Sequence, residues 1–134
     1  MSQEHYPVLW IGQVAVVTLP VEIDVTIADT VRDELLAILG QGATLLIADL
    51  SQTEFCDSAG VSSLVRTYRQ ASTSGSAVRL VVSTPAVQRV LSITGVDRLV
   101  DVFPSVAASL ARTPGAPDQV RLADTATADT DGGA

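Results

Sequence analysis

The segment at residues 45–65 constrains the fold more than any other part of the sequence. Residues 45–50 form an apolar run interrupted only by Asp49, which is typical of a strand buried on both faces. A short polar connection follows, and from Val61 onward apolar side chains recur three and four residues apart, as on one face of a helix. This pattern places Ser58 at the N-cap of that helix, at the sheet edge where open α/β proteins present their sites.

The rest of the chain repeats the alternation of strand and helix. Two β-rich runs, residues 8–11 and 14–19, flank Gly12-Gln13 and predict a hairpin. Further strands are predicted at residues 44–50, 78–83 and 99–103, and helices after Asp24 or Thr26, from Ser58, after Thr84-Pro85 and after Pro104-Ser105. The order predicts an α/β fold with a mixed, mostly parallel sheet, an N-terminal hairpin and about four helices.

Composition divides the chain at Arg112. Residues 113–134 are rich in Thr, Ala, Asp, Gly and Pro and have no apolar periodicity, so they lack the surface that would offset the entropy of ordering them. We therefore predict one domain over residues 1–112 and a disordered acidic tail over residues 113–134. A chain of 134 residues with 47% apolar content suffices for one hydrophobic core.

Charge and residue inventory exclude several classes of function. The net charge of −7 argues against nucleic acid and anionic membranes as partners. His5, the only histidine, lies in a predicted loose segment, and residues 56–60 do not match the Gly-x-Ser-x-Gly elbow of hydrolases. Cys56 is the only cysteine, so neither an internal disulfide nor a His/Cys zinc site is expected; a carboxylate-only metal site stays open. We expect no enzyme activity and no cofactor, in a soluble cytoplasmic protein without a membrane-spanning segment.

Three short motifs give the chain a family resemblance. Residues 57–60, Asp-Ser-Ala-Gly, resemble an Asp-Ser-Ser-Gly motif, and residues 22–24, Glu-Ile-Asp, resemble a Gly-Glu-x-Asp loop. Residues 91–97 resemble a Leu-x-x-x-Gly pattern. These motifs, in consistent order over residues 8–110, resemble those of STAS domains of the bacterial anti-sigma factor antagonist type. Val21 departs from the family's glycine.

The resemblance implies a function and a site. In such relatives the unmodified protein binds an anti-sigma factor that is also a serine kinase and thereby frees a sigma factor, which regulates transcription in stress responses. Phosphorylation of one serine breaks the complex, and a serine phosphatase restores it. That serine matches Ser58, whereas Ala59 replaces the second serine of the motif. The implied partner-binding residues are Glu22, Asp24, Asp57, Ser58, Ala59 and Gly60.

The same residues also have simpler interpretations. Ser58 as a helix cap alone would contribute about 1 kcal/mol to stability. Asp57 either favours the helix N-terminus electrostatically or positions Ser58 for a kinase, and Asp24 either caps a helix or joins an acidic recognition patch. Cys56 is expected to pack as a small apolar residue. Two other functions stay open: a non-phosphorylated adaptor subunit of a lipid-transport ATPase, and a small-ligand-sensing STAS domain. The sequence does not set the oligomeric state.

Overall fold

A five-stranded sheet with helices on both faces and a separate two-stranded sheet, formed by residues 22–23 and 55–56, make up residues 6–112, which are the residues that the computed structural model describes. The strands are β1 (Val8–Ile11), β2 (Val14–Thr18), β3 (Glu22–Ile23), β4 (Leu45–Leu50), β5 (Phe55–Cys56), β6 (Ala77–Val82) and β7 (Asp101–Phe103). The helices are α1 (Ala28–Gly40), α2 (Ser58–Thr73), α3 (Pro85–Thr94), α4 (Val96–Leu99) and α5 (Val106–Ala111). His5 and the predicted tail, residues 113–134, lie outside the described residues.

The strand order of the main sheet is β1-β2-β4-β6-β7. β1 runs antiparallel to β2, and the other neighbours are parallel. Ile11 pairs with Val14, which leaves Gly12-Gln13 as a two-residue connection, and Gly12 adopts a φ of 60° that favours glycine. The predicted hairpin and the mixed, mostly parallel sheet are confirmed.

β4 occupies the centre of the sheet and is buried on both faces, as its apolar run predicts. Leu46 and Leu50 belong to the larger core cluster, which also contains the apolar faces of α1, α2 and α3. Leu45 and Ile47 point to the opposite face and form a smaller cluster against which Val106 of α5 packs. Alternate residues of one strand thus serve two layers of core.

A buried arginine fastens α5 to the second face of the sheet. Arg79 on β6 is only 6% exposed, and its Nη1 donates to the carbonyl oxygens of Ser109 at 2.6 Å and Arg112 at 2.9 Å. These carbonyls lie at the C-terminal end of α5, where a cation is favourable. The guanidinium groups of Arg79 and Arg112 lie 5.6 and 5.5 Å from the centre of the Phe103 ring.

Several elements differ from the sequence prediction. The described residues contain five helices rather than four, because residues 96–99 form a one-turn helix and β7 therefore begins at Asp101. The two-residue strands β3 and β5 were not predicted. The proposed capping of α1 by Asp24 or Thr26 is wrong: Ile27 is the N-cap without a side-chain bond, and the Asp24 carbonyl accepts from the amides of Ile27 and Ala28.

Candidate functional site

The short strands β3 and β5 bring two distant loops together at the sheet edge where β4 ends. They pair in parallel, with Glu22 opposite Phe55 and Ile23 opposite Cys56. The pairing continues with a 3.2 Å hydrogen bond in which the Asp57 amide donates to the Ile23 carbonyl. The predicted loop at residues 22–24 therefore lies beside the start of α2.

The N-cap of α2 is Asp57, so the prediction that Ser58 is the cap is wrong. Asp57 has an extended backbone, and its Oδ1 accepts from the Gly60 amide at 3.0 Å. Ser58 is the first helical residue. Because a carboxylate one residue earlier already reaches the free amide, the serine hydroxyl is not needed there.

Ser58 presents an exposed hydroxyl at the N-terminus of a sixteen-residue helix. Within residues 6–112 this hydroxyl forms no hydrogen bond, so the described fold does not use it. The free amides and the dipole of a helix N-terminus favour negative charge at this position. The geometry therefore leaves the Ser58 oxygen available to a partner or to a modifying enzyme.

Gly60 is required by the close approach of α2 to the paired strands. A Cβ at this position would lie 2.7 Å from Cys56 Sγ, 2.8 Å from the Ile23 carbonyl oxygen and 2.9 Å from Ile23 Cγ2. Two of these three atoms belong to Ile23 on β3, which is fully buried. Gly60 itself is buried, so it shapes the site by letting the first turn of α2 press against β3 and β5.

Three acidic residues lie on the two loops that meet at the start of α2. Asp24 Oδ1 accepts from the Thr26 amide at 3.0 Å and from the Thr26 hydroxyl at 2.5 Å. The hydroxyl bond is the main cause that holds the pKa of Asp24 below its ordinary value of 3.8. Glu22 is exposed, and Asp57 is half-buried by its capping role. The paired strands carry all three acidic residues to the edge that presents Ser58.

Three exposed apolar side chains belong to the same edge, and the sequence analysis missed them. Val21 is 45% exposed, Val25 72% and Phe55 50%. They flank the predicted site residues on both loops, and adjoining exposed apolar side chains are typical of protein-binding surfaces. The only sequence signal is that apolar residues interrupt two loops predicted to be polar. The Val21 carbonyl accepts from the Glu54 and Phe55 amides and so extends the β3–β5 pairing.

Cys56 lies beneath this surface and is 3% exposed, as predicted for a cysteine that packs as an apolar residue. Burial raises the pKa of its thiol to about 11, and the negative charge of Asp57 adds to the shift. The thiol is therefore protonated at neutral pH. Its contact with the first turn of α2 is structural.

Residues 6–112 contain neither a cluster of metal-ligating side chains nor a membrane-spanning helix. No three His, Cys, Asp or Glu side chains of this range are grouped so that they could hold a metal ion. None of its helices is long and apolar enough to cross a membrane.

Comparison with known proteins gives a family and several similar structures. A family model described as the STAS domain matches residues 7–109. An anti-sigma factor antagonist from Mycobacterium paratuberculosis is 27% identical, with a TM-score of 0.73, over 79% of this chain and 90% of that one. The anti-sigma factor antagonist SpoIIAA in its unphosphorylated form is 20% identical, with a TM-score of 0.67, over 87% and 96%.

A second structure of SpoIIAA supports the same fold. The Bacillus cell fate determinant SpoIIAA in its phosphorylated form is 19% identical, with a TM-score of 0.61, over 87% of this chain and 99% of that one. At these identities the SpoIIAA structures show a shared fold only. The comparison with curated proteins finds no match.

Proposed function

The chain belongs to the STAS domain family, and on that premise we propose that it is an anti-sigma factor antagonist controlled by phosphorylation of Ser58. In its unmodified form it binds an anti-sigma factor that is also a serine kinase, and a sigma factor is released. The observation that carries the proposal is that Asp57 performs the capping while the exposed Ser58 hydroxyl is left free. A residue at this turn that has no structural task is suited to a reversible chemical one.

The unmodified site offers a partner both apolar and polar contacts. Val21, Val25 and Phe55 supply exposed apolar surface, and Glu22 and Asp24 supply carboxylates. Ala59, the small half-buried residue next to Ser58, allows another protein's backbone to approach Ser58 closely. Gly60 was predicted to bind the partner as well, but it is buried and faces Cys56 and Ile23. Such a surface can pack against a protein that carries apolar groups and cations around a central neutral contact at the serine.

Phosphorylation changes this surface without requiring the fold to change. A phosphate on Ser58 would lie at the positive end of the α2 dipole, so the helix tolerates it. It would add about −1.5 to −2 charges beside the Asp57 carboxylate. A partner that packs closely against a neutral hydroxyl then meets a group too large for that contact and the cost of burying its charge. A phosphatase reverses the change because the group stays at the surface.

Capture from the native cell tests this function. The full chain and the variants Ser58→Ala and Ser72→Ala are tagged and used as bait, with and without ATP, and mass spectrometry identifies bound proteins and phosphosites. Ser72 is an exposed serine near the other end of the same helix and is the matched control. We expect the natural protein and Ser58→Ala both to capture an ATP-binding, kinase-type partner. ATP should release this partner from the natural protein but not from Ser58→Ala.

Two results would contradict the proposal. Phosphate found only at a residue other than Ser58, with release unchanged in Ser58→Ala, would overturn the assigned phosphoacceptor. Capture of transport ATPase subunits, with Ser58 unmodified, would favour the adaptor function instead. Ser72→Ala is expected to behave like the natural protein in every arm.

A further inference from the structure

The distribution of arginine leaves a positive surface on a negative protein. The chain carries a net charge of −7 and has eight basic residues, all arginine. Arg79 and Arg112 are engaged with α5 and the Phe103 ring. Arg32, Arg66 and Arg69, in contrast, gather along the boundary between α1 and α2.

These arginines line one continuous groove, which we call the α1–α2 groove. It consists of two adjoining cavities of about 490 and 460 Å³, and both are lined by Arg32 and Arg66. The side chains of the groove that can meet a ligand through charge or hydrogen bonds include Asp29, Arg32, Ser62, Arg66, Arg69 and Gln70. Three guanidinium groups thus face a single lining carboxylate, that of Asp29.

The three arginines differ in whether a carboxylate of the protein already pairs with them. Arg32 is held by Asp29 at 3.2 Å and by Asp33 at 3.1 Å, so its position is fixed along its own helix. Arg66 and Arg69 are exposed, and within residues 6–112 their side chains form no ion pair or hydrogen bond. Their charges are therefore available to an incoming group at little cost.

The shape of the groove favours an extended anion over a compact one. Arg66 and Arg69 are exposed and lie three residues apart on α2, so a compact anion held by them would remain in contact with water. A lone phosphate would contact one or two of them in water, whereas a peptide with several carboxylates can meet all three in turn. Ser62 and Gln70 add hydrogen-bonding groups along the same path.

The groove begins next to the predicted phosphoacceptor. Ser58, Ser62 and Arg66 are four residues apart and so follow one another along the same face of α2. Arg66 lies about 12 Å from Ser58 along the helix axis. A partner large enough to cover Ser58 would also cover the groove.

We propose that the α1–α2 groove binds an acidic peptide segment of the protein partner that engages Ser58. This inference rests on the proposed function for the identity of the partner, and on the groove alone for the chemistry of the segment. Arg66 and Arg69 lie about two and three helical turns from Ser58, so they remain available to the segment when Ser58 carries phosphate, and the segment steers association in both states.

A peptide arm tests the groove without the partner. Hexaglutamate is titrated into the full chain at low salt, and the arginine side-chain Nε–Hε signals are followed by NMR. We expect saturable shifts at Arg32, Arg66 and Arg69. In the double variant Arg66→Glu, Arg69→Glu the shift at Arg32, the one groove arginine that remains, should disappear. Arg89, an exposed arginine of α3 outside the groove, should not shift, and Arg89→Glu should keep the binding.

A partner arm then separates the two proposals. With the captured partner, the double groove variant should lower the association rate roughly tenfold at low salt, and high salt should remove the difference. Arg89→Glu should have a much smaller effect. Failure to capture a kinase-type partner would count against the proposed function, while the peptide arm would still decide the groove.

Three outcomes would overturn the groove. Equal shifts at all exposed arginines would mean unselective attraction of polyanions. If the double groove variant leaves the association rate unchanged, the partner does not use an acidic segment at the groove. If replacing the four tail aspartates, Asp118, Asp124, Asp129 and Asp131, by Asn moves the groove arginine signals without peptide, the chain's own tail is the occupant instead.

Discussion

Asp24 and Asp57 hold equivalent places in the chain and perform different tasks. Each directly follows one of the paired strands, and each precedes a helix. Asp57 caps α2 at once through the Gly60 amide, whereas Asp24 binds Thr26 in a tight turn and α1 starts only at Ala28. Because Asp57 caps α2, the first residue of the helix, Ser58, is held at the surface. The difference shows how one carboxylate can free a neighbouring hydroxyl.

The largest expected effect on stability is at Gly60, where the first turn of α2 packs closely against β3 and β5. The glycine at the end of α1, Gly40, has no such contact. Gly60→Ala would push a Cβ to within 3.0 Å of Cys56 Sγ and of two atoms of Ile23. We expect a loss of about 1–3 kcal/mol in the free energy of unfolding, measured by urea denaturation. Gly40→Ala, at the end of α1, is the control, because a Cβ there meets nothing within 4 Å. It should be neutral or stabilising by up to about 1 kcal/mol. Equal stability of both variants would contradict the close approach.

The next effect is the loss of the α2 cap. Asp57→Ala removes the acceptor of the Gly60 amide and should cost about 1 kcal/mol of unfolding free energy. Asp57→Ser should restore most of it, since serine is also a good cap. Asp24→Ala should cost less than Asp57→Ala, because Asp24 caps no helix. The reverse order in urea denaturation would break the comparison between the two aspartates.

A smaller effect should appear in the melting temperature of the protein at acidic pH. The pKa of Asp24 is lowered in the folded protein, mainly by the Thr26 hydroxyl, so its charged form favours folding. This contribution is present above the ordinary value of 3.8 and is lost as the pH falls through the lower folded pKa. The natural protein should therefore melt higher than Asp24→Asn near neutral pH, and the gap should close on acidification. If the difference in melting temperature grows on acidification, the pKa of Asp24 is not lowered in the folded protein.

The smallest expected effect on stability is at Ser58. Because the fold does not use its hydroxyl, Ser58→Ala should change the unfolding free energy by less than about 0.5 kcal/mol. Ser105→Ala is the matched control, since Ser105 is the N-cap of α5 and its Oγ accepts from the Ala108 amide at 3.0 Å. That variant should cost about 1 kcal/mol. If Ser58→Ala lowers the unfolding free energy as much as Ser105→Ala does, then Ser58 does cap α2.

The sequence predicted the main sheet and the long helices because their signals are local. The apolar run of β4 and the spacing of Val61 and Leu64 survive in the structure as a buried strand and a buried helix face. Gly95 ends α3 with a φ of 83°, as a helix-terminating glycine should. The family motifs correctly indicated the STAS fold and the edge at which Ser58 lies.

What the sequence missed depends on distant contacts. β3 and β5 have two residues each, too few for any periodicity, and they exist only because the two loops pair. Asp57 and Ser58 are adjacent and both are good caps, so only the backbone geometry decides between them. The α1–α2 groove requires the rotational phase of both helices, which places Arg32 opposite Arg66.

We propose that Ser58, whose hydroxyl is left free because Asp57 caps the helix, switches partner binding when it is phosphorylated. The most direct measurement is the affinity of the captured kinase-type partner for two forms of the full chain, one unmodified and one synthesised with phosphoserine at position 58. Calorimetry of both forms at the same salt concentration gives the ratio of dissociation constants. We predict at least a tenfold weaker complex for the phosphorylated form, which is about 1.4 kcal/mol. Equal affinity of the two forms would contradict the account.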